Sequence, residues 1–148
     1  MIFLTHLIAT LLLMKVFAVS SLTEKILCLF FGVFIDVDEV YVALVEFKKS
    51  KNFSTFKKNF LKLGVDRRTW FQESGSLVIS FTISLFLGTF TPFMANLIHC
   101  LMDWCSHYKS HPLAPFYDKL ETMGFIKNFS LEELIIMLFL LYLYLHLP

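Results

Sequence analysis

The densest run of chemically capable side chains in this sequence is His99-Cys100-Leu101-Met102-Asp103-Trp104-Cys105-Ser106-His107. Positions four apart share one face of a helix, so His99, Asp103 and His107 line up if the run is helical. Imidazole nitrogen and carboxylate oxygen are the usual protein ligands of zinc and other divalent metals. The same spacing also makes a common structural His–Asp pair, so a metal site needs further ligands from elsewhere in the chain. His6 lies one turn into the first apolar run. Asp36 and Asp38 close the second, where two carboxylates one residue apart repel and a cation relieves the repulsion. Glu73 opens the third, with Arg67 and Arg68 just before it, able to neutralise a phosphate. His111 and His146 are isolated.

Five apolar segments must position these groups: Ile2 to Val19, Leu22 to Ile35, Ser76 to Leu87, Phe93 to Met102 and Leu131 to Leu147. Gly88 to Pro92 reads as the turn between the third and fourth, since Pro92 lacks an amide donor and Gly88 suits a helix C-terminus. Ser130 with Glu133 makes a capping box for the fifth. In 148 residues, 57% of them apolar and 18 of them Phe, the excess over an ordinary soluble domain points to lipid as solvent. The sequence therefore predicts an all-α integral membrane bundle of four to five helices in one domain over residues 1–148. The middle segments are nevertheless shorter than the ~20 residues a full span prefers.

Eight of the 13 Lys and Arg fall between Lys48 and Arg68, inside a basic segment over 46–68. Phe53, Phe56, Phe60 and Leu63 recur there at helical spacing while Lys57, Lys58 and Lys62 take other faces. That is the pattern of an interfacial helix meeting anionic headgroups, rather than a nucleic-acid arm. Following the chain back and forth brings His6, Asp36, Glu73, Asp103 and the start of the fifth segment to one end. The basic segment makes that end cytoplasmic, in a cell or inner membrane. A polar loop over 104–129 precedes the C-terminal apolar helix over 131–147. No basic residue precedes the first apolar run, which disfavours a cleavable signal. Cys28, Cys100 and Cys105 form no C-x-x-C pair and read as buried thiols. Nucleophile-elbow, Walker, H-E-x-x-H and dinucleotide-binding patterns are absent.

His6, then Gly32-Val33-Phe34-Ile35-Asp36-Val37-Asp38, then Arg68-Thr69-Trp70-Phe71-Gln72-Glu73-Ser74, then His99-x-x-x-Asp103 with Pro115-Phe116 downstream, resemble the LexA-regulated inner-membrane metal-dependent hydrolase family. That family is itself distantly similar to zinc-dependent phospholipases C. The resemblance covers most of residues 1 to 118 in order. It implies a divalent metal held by His6, Asp36, Asp38, His99 and Asp103, with Glu73 as general base and a phosphoester or lipid-derived substrate. The chain departs from the pattern at Ile35, where the family prefers Pro, and at Glu39, where it has His. In the third element Gln72 or Glu73, and Arg67 or Arg68, stand where it has His. Either acids replace imidazoles around a harder metal such as Mg²⁺ or Mn²⁺ in place of zinc, or catalysis has been lost. The rival reading is a non-catalytic membrane scaffold or assembly partner. A transporter is disfavoured because the third to fifth segments carry no charge at mid-helix.

Overall fold

The computed structural model describes residues 3–36, 44–45, 47–50, 52–64, 74–106, 109–110, 112–113, 122–126 and 130–147. The architecture is helical: α1 (Phe3–Val16), α2 (Leu22–Gly32) running into a 3-10 turn (Phe34–Asp36), α3 (Phe53–Gly64), α4 (Ser74–Leu87), α5 (Thr91–Cys105) and α6 (Leu131–His146). One two-residue antiparallel pair, Lys109–Ser110 with Thr122–Met123, lies in the loop after α5.

The helix ends follow from local chemistry. Gly88 takes a left-handed φ of 67°, and the amides of Gly88 and Thr89 return to Leu85 O and Ser84 O, closing α4 in a Schellman motif. Ala18 does the same for α1 at φ 48°, with Ala18 N to Lys15 O and Val19 N to Met14 O. Asn52 Oδ1 caps α3 by accepting from Thr55 N at 2.8 Å. Ser130 Oγ accepts from Glu133 N at 3.3 Å, which is half of the expected capping box. The turn between α4 and α5 stands where expected, although Pro92 belongs to the first turn of α5, where a missing amide costs nothing.

Side-chain contacts give the helix directions. Thr5 meets Glu133 and Lys15 meets Tyr144, so α1 and α6 run parallel. His6 meets Asp103, while Leu13 packs with Ala95, so α1 and α5 run antiparallel. Gly32 meets His99 and Glu24 meets Thr89, so α2 runs parallel to α5. Ser76, Ser80 and Ser84 meet Asn96 and Phe93, so α4 and α5 form an antiparallel hairpin. Helix α5 is the element that α1, α2 and α4 share. Its C-terminus, the C-terminus of α2 and the N-termini of α1, α4 and α6 gather at one end of the bundle. This is the common end the back-and-forth path implied.

The expectation of an integral membrane protein is corrected by the helices themselves. Among the described residues none is long and apolar enough to cross a membrane. The longest, α6, has 16 residues. At ~1.5 Å per residue that falls short of a ~30 Å hydrocarbon core. The expected first span from Ile2 to Val19 is cut at Val16 by the Ala18 turn, and the second ends at Gly32. With the spans goes the assignment of the site to the cytoplasmic side of a cell or inner membrane. The residues that carried the expectation are nonetheless at the surface: Phe86 is 86% exposed and Phe139 59%. The interior is conspicuously polar, holding Thr5, His6, Thr10, Ser76, Ser80, Asn96, His99, Asp103 and Glu133. A small apolar cluster of Leu13, Cys28 and Ala95 sits beside them.

Candidate metal centre

His6 on α1 and His99 and Asp103 on α5 converge at the gathered end. One ring nitrogen of each histidine and one oxygen of Asp103 lie within 4.8 Å of one another, and all three residues are buried. His6 Nε2 is 3.1 Å from Asp103 Oδ1, and His99 Nε2 is 3.4 Å from Asp103 Oδ2. The two imidazoles stack with centroids 4.2 Å apart and planes at 29°.

Residues outside the triad fix its orientation. His99 Nδ1 is 3.1 Å from the carbonyl oxygen of Gly32. A carbonyl only accepts, so Nδ1 carries the proton, and in the neutral ring Nε2 turns a lone pair toward the Asp103 carboxylate. A ligating histidine shows this arrangement, its other N–H donated to a backbone carbonyl. Gly32 can approach because it lacks a Cβ: one placed there would collide with Thr10 Oγ1 of α1. The last turn of α5 is held from the far side, where Ser106 Oγ donates to Asp103 O at 2.7 Å. There Gly124 N also donates to Ser106 O, and Ile126 N to Cys105 O. Beside His6, Thr5 Oγ1 donates to the buried carboxylate of Glu133 at 3.5 Å.

The electrostatics favour a neutral His6 ring. Burial pushes the pKa of His6 below its usual value and the adjacent His99 pushes it further, with Asp103 opposing. A neutral imidazole is the form that binds metal. His6 Nε2 then donates to Asp103 Oδ1, and His6 Nδ1 is buried with no hydrogen-bond partner among the described residues. A buried site with stacked imidazoles, one carboxylate and an orphaned ring nitrogen suits a cation. Two nitrogens and one oxygen suit zinc ahead of Mg²⁺ or Mn²⁺.

Of the expected ligands, the structure brings His6, His99 and Asp103 together. Asp36 ends the 3-10 turn that follows α2, and its side chain is outside the described set. Asp38, Glu73 and His107 lie outside the described residues altogether. Ser106 is fully buried. Gly32, Thr10 and Glu133 carry no ligand signal of their own: Glu133 is legible only as a capping residue, and Gly32 only as a small residue near a helix end. Comparison with protein-family models, with characterised proteins and with solved structures gives no match.

Proposed function

We propose that this chain is a metal-dependent hydrolase, a divergent relative of the family its motifs resemble, with His6, His99 and Asp103 as the core of its metal centre. The observation that carries this reading is His99. Its proton is committed to Gly32 O, so Nε2 can serve only as a lone-pair donor in the neutral ring, and it faces a carboxylate oxygen 3.4 Å away. With a neutral His99, these two atoms would hold a divalent cation as a nitrogen–oxygen ligand pair. A divalent ion held by His6, His99 and Asp103 would supply an activated water as nucleophile at neutral pH. The chain's own contribution is to fix the His99 tautomer through Gly32 O and to bury the three side chains together. A phosphoester or lipid-derived substrate fits the resemblance.

The test is metal uptake. Metal-stripped protein titrated with Zn²⁺ should take up one ion per chain, read by calorimetry and by elemental analysis after dialysis. Asp103→Asn keeps shape and removes charge. It should lower affinity by more than the ~10–100-fold that outer-shell changes cost, with the helical circular dichroism retained. If the wild type binds no divalent ion, the triad is a buried polar pin and the non-catalytic scaffold reading replaces the enzyme.

A further inference from the structure

The basic segment takes no part in the metal centre. Residues 46–68 hold eight Lys and Arg against two acids, Glu46 and Asp66, while the rest of the chain holds five against ten. Among the described residues, α3 shares few contacts with the other helices. Its Phe56, 8% exposed, packs against two further rings, Phe47 with centroids 5.4 Å apart and Phe53 at 5.9 Å. Those two rings are each 59% exposed, and Leu44, three residues before Phe47, is exposed as well. Lys48 and Lys49 follow Phe47 directly, and Lys58 lies little more than one turn beyond Phe53; all three are exposed. Large apolar side chains are exposed elsewhere too, such as Phe86 on α4 and Leu138 on α6, but those helices carry no Lys or Arg. Aromatic exposure and positive charge coincide on the 44–58 face.

That pairing selects the partner. A surface helix with Phe on one side and Lys around it suits the boundary between headgroups and acyl chains, where rings leave water and ammonium groups meet anionic lipid. Lysine stems are long enough to keep the charge at headgroup level while their methylenes lie on apolar surface. Single-stranded nucleic acid also meets basic residues interleaved with aromatic ones. Two features favour lipid over it. Leu44 offers no π face on which a base could stack. The six basic residues between positions 48 and 64 are all Lys, whereas Arg, with its planar fork, is the residue of nucleic-acid recognition. We propose that the face carrying Leu44, Phe47 and Phe53 with Lys48, Lys49 and Lys58 docks the protein on the surface of an anionic bilayer. The rings enter the acyl boundary, and no described helix is long and apolar enough to cross. Docking of this kind needs no metal.

The experiment is co-sedimentation of the purified full chain with vesicles of phosphatidylcholine and phosphatidylserine in equal parts, and with phosphatidylcholine alone. Binding to the anionic vesicles is expected to be the tighter and to weaken with added salt. Each of Lys48→Gln, Lys49→Gln and Lys58→Gln should weaken it about fivefold, and the triple variant on the order of a hundredfold. Phe47→Ser and Phe53→Ser should each weaken it about tenfold or more. Lys25→Gln and Phe86→Ser, at exposed positions on α2 and α4, should leave it unchanged. Equal binding to both vesicles, or equal losses in the control variants, overturns the proposal, because the apolar surface at large then adsorbs. Should the triple variant fail to fold, Phe53→Trp still decides: brominated lipid should quench its added fluorescence, and should not quench that of Phe86→Trp. Quenching of both, or of neither, removes the docking face. Tighter binding to a single-stranded oligonucleotide than to the vesicles, lost in the same lysine variants, would make the face a nucleic-acid site instead. Metal-stripped and zinc-treated protein should bind the anionic vesicles alike; binding only with zinc would tie the lipid to the metal and overturn the lysine-and-ring account.

Discussion

Gly32 carries two duties at once: its missing Cβ lets α2 reach Thr10 of α1, and its carbonyl receives the His99 Nδ1 proton. Gly32→Ala should therefore cost about 1–3 kcal/mol from overpacking. It should also lower zinc affinity by ~10–100-fold as the carbonyl moves. Thr10→Ala alone removes the atoms the new methyl would strike, so the double variant should recover most of both losses, measured by chemical denaturation and calorimetry. A double variant no better than Gly32→Ala would place the strain elsewhere. This residue shows where sequence reading stops. His6, His99 and Asp103 were legible because their chemistry is written in their side chains and their spacing selects one helical face. Gly32 acts through a backbone oxygen and an absent atom, both defined only once two helices cross. Glu133 sits in an unambiguous capping position, which hides that its carboxylate is buried against Thr5.

At the scale of elements, α4 and α5 are joined by polar contacts. Asn96 Nδ2 donates to Ser80 Oγ at 3.0 Å, Ser76 Oγ donates to Asn96 Oδ1 at 3.3 Å, and Ser84 Oγ accepts from Phe93 N at 3.1 Å. Serines at 76, 80 and 84 lie on one face, and their small size lets the backbones come close. Asn96→Ala should cost about 1–3 kcal/mol, because two serine hydroxyls would be left buried with fewer partners. A loss below a few tenths in urea denaturation would mean the ladder is filled by other groups. A second element-scale prediction concerns the end of α1. Ala18 holds a left-handed conformation that costs a non-glycine residue roughly 1–2 kcal/mol. Ala18→Gly should therefore stabilise the protein, by up to about 1 kcal/mol after the greater chain entropy of glycine is offset. The hairpin of α4 and α5 was legible in Gly88 and Pro92. The serine ladder was not, since in an apolar run three serines read as tolerated polar residues until their partner helix is known. The early end of α1 was equally hidden, because nothing about Ala18 marks it as a C-cap.

At the scale of the whole molecule the helix count, the order of the elements and the shared end were legible, because apolar runs separated by polar breaks leave few paths for the chain. What composition suggested about the solvent did not follow, since helix length is decided at the caps and not by hydropathy. The result is a bundle with a polar interior, a small apolar cluster and large apolar side chains outside. Interhelical polar contacts share the interior with the buried apolar side chains, and their pH dependence should be visible globally. Opposite the metal centre, Thr89 Oγ1 donates to Glu24 Oε1, which ties the first turn of α2 to the turn between α4 and α5. The hydroxyls of Thr89 and then Thr91 hold the Glu24 pKa below its ordinary value, against a smaller opposing effect of burial. The carboxylate thus binds protons less readily folded than unfolded. Its contribution is fully present above the unfolded glutamate pKa of about 4.3, and it is lost as pH falls through the lower folded value. Because the group is largely solvated, the effect is modest and screened by salt. Thermal unfolding of the wild type should show a midpoint that declines as pH drops below about 4.5. Glu24→Gln keeps an acceptor oxygen and cannot titrate, so its midpoint should start lower at neutral pH and decline less over the same interval. Parallel declines in the two proteins would show that the acid sensitivity arises elsewhere, and Glu24 would then be a surface carboxylate with no part in closing that end of the bundle.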